Sequence, residues 1–135
     1  MAVKTHELID PRFSGEPIEL AEDRARVRLD TDPCMRADAT GLVHGGFVFS
    51  LADHAAMLAV NHPNVVLGSA STRFLRPVRV GESLVAEARV DRREGAKIVV
   101  AVTVHRGGDS AATGEAVMTG EMVCFTPGRH VLGGG

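Results

Sequence analysis

At 135 residues with a formal net charge of −2, the chain has the size of one domain with a sizeable core, and its charge gives no bulk reason to bind nucleic acid or an anionic membrane. It contains no Trp, no Tyr and five Phe, too few rings for a base-stacking platform. No apolar run reaches the roughly 18 residues of a spanning helix, the first residues lack a signal peptide's apolar region, and the isolated Cys34 and Cys124 form neither a CxxC nor a disulfide framework, so a cytoplasmic location is expected.

Residues 1–16 show no clear periodicity and are expected to wrap the surface as a peripheral segment. Ile18–Leu20 and Ala25–Leu29 read as a short hairpin turning at Glu22-Asp23, because Ala25, Val27 and Leu29 alternate with Arg26 and Arg28. Asp32-Pro33 ends the second strand, and Cys34 to Val43 reads as a loop. A helix then runs over about residues 45–61, opening on Gly45-Gly46 and closing before His62-Pro63, since proline disfavours helix at the residue before it. Asn64 to Arg76 is rich in Val, Ser and Thr and reads as a strand ending at Pro77. Leu84, Ala86, Ala88 and Val90 alternate with polar residues, and a turn at Glu94-Gly95 leads to Ile98, Val100, Val102 and Val104. Gly107-Gly108-Asp109 marks another turn, Glu115 to Phe125 supplies the last strand, and residues 127–135 form a peripheral tail.

The helix organises the rest. From Gly45 to Val60 only Ser50, Asp53 and His54 are polar, and a helix apolar on nearly every side wants to be enclosed. One helix among five or six strands excludes a doubly wound parallel sheet, in which each crossover needs its own helix. The expected architecture is α+β, a curved antiparallel sheet wrapped around one long central helix in a single domain. The sheet's free edges lead us to expect pairing with a second copy.

Ser50, Asp53, His54 and Met57 stand at i, i+3, i+4 and i+7, a spacing that places them on one face. An unpaired buried charge is costly, so Asp53 is either a carboxylate presented to a site or a hydrogen-bonded structural residue. Gly45-Gly46 leaves backbone N–H groups free at the positive end of the helix dipole, where an anion or a developing oxyanion is favoured; a plain tight turn is the blander reading. Asp53 lies seven residues beyond Gly46, about 10 Å along a helix axis at 1.5 Å per residue. Donor and carboxylate acting on one carbonyl should be within about 6 Å. A site that takes its N–H groups from one subunit and Asp53 from its neighbour removes the mismatch, as does a bridging water.

The run His44-Gly45-Gly46-Phe47-Val48-Phe49-Ser50-Leu51-Ala52-Asp53, followed by Ser71-Thr72-Arg73-Phe74-Leu75-Arg76-Pro77 and Gly81-Glu82, resembles hotdog-fold acyl-CoA thioesterases, in particular the phenylacetate-degradation and 4-hydroxybenzoyl-CoA branch. The resemblance covers roughly residues 15 to 126. It implies that Asp53 is the nucleophile or the general base for water. It also implies that the N–H of Gly45, with Gly46, polarises the thioester carbonyl while His44 shapes the helix start, and that the site is shared within a homodimer that assembles further as a dimer of dimers. Relatives often carry Asn or Gln six residues before the motif's His; here that position is Asp38, whose carboxylate would repel an oxyanion unless protonated or turned away. Ser71 or Thr72 is placed to orient the attacking water. No cofactor is implied beyond the coenzyme A of the substrate.

His44, His54 and His62 lack metal-site spacing, and no metal is expected. His54 reads as a buried or interface histidine near Asp53, and a Ser50–His54–Asp53 triad fails because adjacent helical residues project about 100° apart. Arg73 heads a group of cations, with Arg76, Arg79, Arg92, Arg93 and Lys97, that either meet the phosphates of coenzyme A or serve as ordinary solvated charges. Phe47, Phe49, Leu51 and Met57 read mainly as core, with Met57 a candidate lining of an acyl pocket. Three functions compete: thioester hydrolysis, a non-catalytic acyl-CoA-binding module, and a hotdog hydratase or dehydratase. The second, as a regulator, is expected to need a DNA-binding segment for which this chain has no room. The third wants a His–carboxylate pair, which the His-Gly-Gly start with Asp53 fits less well.

Overall fold

A computed structural model describes residues 1–107 and 114–133. Chain order is a short helix α1 (Pro11–Ser14), strands β1 (Glu16–Ala21) and β2 (Arg24–Asp30), a 3-10 turn at Pro33–Met35, the long helix α2 (Gly45–Val60), then β3 (Val66–Phe74), β4 (Ser83–Glu94), β5 (Lys97–Arg106) and β6 (Ala116–Phe125). The six strands form one antiparallel sheet in the order β1-β2-β4-β5-β6-β3. The chain leaves β2, lays α2 across the sheet and returns at the opposite edge as β3, which is the hotdog arrangement.

Alternation decides what faces the helix. Ala25, Val27 and Leu29 of β2, Leu84, Ala86 and Ala88 of β4, and Val100, Val102 and Val104 of β5 are buried together with Leu51, Ala55, Met57 and Leu58 of α2. Their partners in the alternation, among them Arg24, Arg26, Glu87 and Arg89, lie outward, where Arg26 pairs with Glu87 at 3.0 Å. The helix has a weak cap, since His44 makes no side-chain bond to it. Its start is held instead by neighbouring chain: His44 N donates to Met35 O at 2.9 Å, Val43 N to Val78 O at 2.8 Å and Val80 N to Gly41 O at 2.8 Å. Asn61 ends it in the left-handed conformation, its N–H returning to Met57 O.

Several expectations need adjustment. The strand expected from Asn64 to Arg76 is shorter, Val66–Phe74, because Asn64 and Val65 belong to the turn in which Val65 N donates to His62 O at 3.1 Å. Gly108 and Asp109 of the expected turn, and Gly134 and Gly135 of the tail, lie outside the described residues. The N-terminal segment is more than a surface wrap. Asp10 caps α1 by accepting from Arg12 N, and Pro11 opens it, a helix-start signature legible in the sequence. Beyond it, Gly15 at φ +87 turns the chain into β1, and a Cβ there would sit 2.7 Å from Arg28 O, so glycine alone fits. The segment runs back along α2: Asn61 Oδ1 accepts from Lys4 N at 2.8 Å and its Nδ2 donates to Ala2 O at 2.9 Å. Residues 1–14 are therefore a strap over the helix face that the sheet leaves bare.

Candidate active site

Asp53 sits at the middle of α2, surrounded by residues that have withdrawn from water. Its Oδ1 is buried and accepts no hydrogen bond. Burial raises the Asp53 pKa above the ordinary carboxylate range, opposed by the neighbouring His54. Cys124 of β6, fully buried, lies close enough to feel it: burial, and then the Asp53 carboxylate, push the thiol up to about 12. A buried acceptor without a donor is destabilising by about 1–3 kcal/mol, and native chains retain such groups where chemistry uses them. A carboxylate in this setting is a stronger base than one in water, and its free lone pair faces inward.

The expected common face of Ser50, Asp53, His54 and Met57 divides three ways. Ser50 and His54 turn to the strap, Ser50 Oγ lying 2.6 Å from Ser14 Oγ and His54 Nδ1 2.9 Å from Ser14 O. A carbonyl only accepts, so His54 Nδ1 carries the proton. His54 is 3% exposed, and burial lowers its pKa. Met57, 1% exposed, belongs to the core. Asp53 is bonded to none of them through Oδ1, and no triad forms. The reason is angular: side chains three and four residues apart on a helix still diverge by tens of degrees, and each partner element selects its own sector.

The helix start is a separate locus. Gly45 and Gly46, as the first two helical residues, have N–H groups with no intrahelical acceptor, whereas Phe47 N already donates to His44 O at 3.0 Å. His44 is exposed, its ring edge-on to Phe47 at 6.1 Å and folded over Gly46. Gly45 lines an apolar pocket of about 290 Å³ with Leu42, Val48, Phe74, Leu75 and Pro77. Phe74 and Leu75 are half exposed, at 54% and 48%. A Cβ on Gly45 would lie 3.5 Å from the Phe74 ring.

Asp38 stands apart from both. Its Oδ1 accepts from Thr40 N at 2.9 Å and from Thr40 Oγ1 at 2.6 Å, and the Thr40 hydroxyl, then its amide, hold the carboxyl below its usual range. The carboxylate is engaged in a turn with Thr40. Ser71, Thr72 and Arg73 lie on β3, an edge strand, opposite Glu121, Gly120 and Thr119 of β6; Ser71 and Arg73 are exposed, Thr72 half-buried. Among the described residues no three His, Cys, Asp or Glu side chains gather as a metal site, and no helix is long and apolar enough to cross a membrane. What pattern reading missed is Ser14, which binds Ser50 and His54 together, and Cys124, the buried neighbour of Asp53. Neither carries a local signal, because both contacts are long-range.

A protein-family model described as Thioesterase superfamily matches residues 40–113, more than half of the chain. Over 115 residues the chain is 50% identical to methylthioribose-1-phosphate isomerase of Aquifex aeolicus, a match covering 85% of this chain and 25% of that protein. Over 105 residues it is 34% identical to the transcription factor FapR of Shouchella clausii, covering 77% of this chain and 55% of that one. The chain thus spans a quarter to about half of the length of these two relatives. A crystal structure of an uncharacterized protein from Pyrococcus horikoshii superposes with a TM-score of 0.91 at 45% identity, covering 98% of this chain and 97% of that one.

Proposed function

The chain belongs to the thioesterase superfamily, and from that premise we propose that it hydrolyses an acyl-CoA thioester to a carboxylic acid and free coenzyme A. The observation that carries the reading is the unpartnered, buried Oδ1 of Asp53 in the middle of an otherwise apolar helix. Asp53 acts on the acyl carbon. As a general base it takes a proton from water while the water oxygen bonds to the carbonyl carbon; the C–S bond then breaks and the proton passes to the departing sulfur. As a nucleophile its oxygen bonds to the acyl carbon while the C–S bond breaks and coenzyme A leaves as the thiolate. Water then cleaves the mixed anhydride to the acid, which restores the Asp53 carboxylate and supplies the proton that the thiolate takes up. In both routes the carbonyl oxygen becomes negative and is received by the N–H groups of Gly45 and Gly46. One such donor is typically worth about 3–4 kcal/mol to the transition state. No cofactor takes part beyond the coenzyme A of the substrate.

The two halves of this machinery are about 10 Å apart on one helix, with Asp53 near Cys124 and Gly45 beside Phe74. The proposal therefore pairs Asp53 of one protomer with the helix start of a second copy. The exposed β3 edge and the apolar Phe74 and Leu75 beside Gly45 support such a pairing. Arg73, Ser71 and Thr72, on that same edge, are then the side chains placed to meet substrate.

The test is thiol release from a panel of acyl-CoAs by wild type, Asp53→Ala and Asp53→Asn. Loss of the carboxylate should lower turnover at least about 100-fold; equal release by all three would remove Asp53 from the chemistry. A second reading, a non-catalytic acyl-CoA-binding module, is favoured by the likeness to FapR. It is distinguished in the same assay, since such a module binds the thioester and releases no thiol from any member of the panel.

A further inference from the structure

The strap is fastened to α2 at two places. Ser14 meets Ser50 and His54, and Lys4 and Ala2 meet Asn61. Ser50, His54 and Asn61 stand at i, i+4 and i+11, a single stripe of the helix. Between the two fastenings lie Thr5, buried at 6%, and His6, whose Nδ1 is 2.7 Å from Thr5 Oγ1. His6 holds φ +55, a left-handed conformation that is unfavourable for a residue with a side chain unless its surroundings compensate. Its docking must offset that strain. His6, half-buried on the strap, also lies near enough to the buried His54 of the helix to oppose a charge on it.

We propose that residues 1–14 form a proton-sensitive clasp on α2, closed while His6 and His54 are neutral and released when both become charged. His54 spends its one proton on the Ser14 carbonyl, so a second proton would sit on Nε2 inside the fold. Burial lowers the pKa of both rings. The surrounding groups divide: His6 opposes a charge on His54, whereas the Ser14 and Gly15 backbone and Asp53 favour one, and burial outweighs them. Around His6, Lys4 adds positive charge and Glu7 negative charge along a cavity of about 550 Å³ that His130 and Val65 also line.

The sign follows from linkage. A histidine whose pKa is lowered by docking binds its proton more readily when the strap is open. The closed state is therefore favoured in full above the ordinary histidine value of about 6.5 and loses ground as pH falls below it. At pH 5 each histidine raises the opening equilibrium by up to about 30-fold. Opening would place a cationic His54 beside Asp53 and weaken that carboxylate as a base. The clasp itself does not depend on what Asp53 does, and its test needs no substrate.

Hydrogen exchange of the Lys4 and Ile9 amides, which are bonded to Asn61 Oδ1 and His6 O, reports the strap, and amides in the middle of α2 report the whole fold. Between about pH 7.5 and pH 5, after correction for intrinsic rates, strap protection should fall at least about tenfold while helix protection holds. His6→Gln should remove about half of the logarithmic change, and His6→Gln with His54→Gln nearly all of it. Should the double variant fail to fold, His6→Gln alone decides. Unchanged strap protection at pH 5, strap and helix opening in step, or a His6→Gln strap as pH-sensitive as wild type would each overturn the clasp.

Discussion

The two ends of α2 are built in opposite ways. At the start, Gly45 and Gly46 have unused N–H groups beside an open apolar pocket and an exposed sheet edge. From Leu51 onward most of the helix is buried, by the sheet on one side and the strap on the other; Asp53 is half-buried, and its inner oxygen Oδ1 is an acceptor left unsatisfied. The open end offers donors and the closed stretch offers a base. Each locus lacks what the other has, and about 10 Å of helix keeps them from meeting within one chain. A second copy that brings the open end of one helix to the closed stretch of another supplies the missing half.

The contrast can be sharpened by substitution at each locus. The largest effect on folding should come from the closed stretch. Leu51→Ala removes a fully buried side chain that the surrounding β-sheet cannot collapse upon, and should lower stability by about 2–5 kcal/mol in denaturant titration. Gly45→Ala should leave stability nearly unchanged, because a Cβ finds ordinary contact distance to Phe74. It should still lower turnover about tenfold, by holding the carbonyl oxygen away from the helix amides. A Gly45→Ala protein as active as wild type would mean that the helix start takes no part.

The smallest effect has an unusual sign. Asp53→Ala removes an acceptor that nothing satisfies, so it should raise stability by about 1 kcal/mol at neutral pH even as turnover is lost. The pH dependence follows from the raised pKa. A carboxyl that prefers its proton in the fold contributes stability fully below its ordinary value of about 3.9 and loses it as pH rises through the raised one. The advantage of Asp53→Ala over wild type should therefore widen as pH climbs out of the acid range and then level off. A thermal unfolding series across that range checks it, and a variant less stable than wild type would mean that Asp53 is a satisfied structural residue.

How much of this was legible beforehand varies with the range of the interaction. The strands carry their alternation in neighbouring residues, so Ala25–Leu29 and Ile98–Val104 announce both strand and inner face. The helix declares itself by composition alone, since sixteen residues with three polar members fit nowhere but inside. At Asp38, where relatives carry Asn or Gln, spacing leaves the role open; its two bonds to Thr40 depend on a turn that spacing does not reveal. Ser50, Asp53, His54 and Met57 look equivalent on a helical wheel and are not, because Ser14, Cys124 and the core claim different ones.

The sequence by itself determined that one apolar helix must be wrapped by an antiparallel sheet, that a carboxylate would be trapped in it, and that glycines would bare its first amides. These are matters of local period and of what water rejects. Only the folded chain settles that residues 1–14 strap the helix, that His54 is held by Ser14, and that Asp53 Oδ1 accepts no hydrogen bond. Each of those is a contact between residues distant along the chain, fixed by which surfaces the folded backbone brings together and by the sector of the helix each partner occupies.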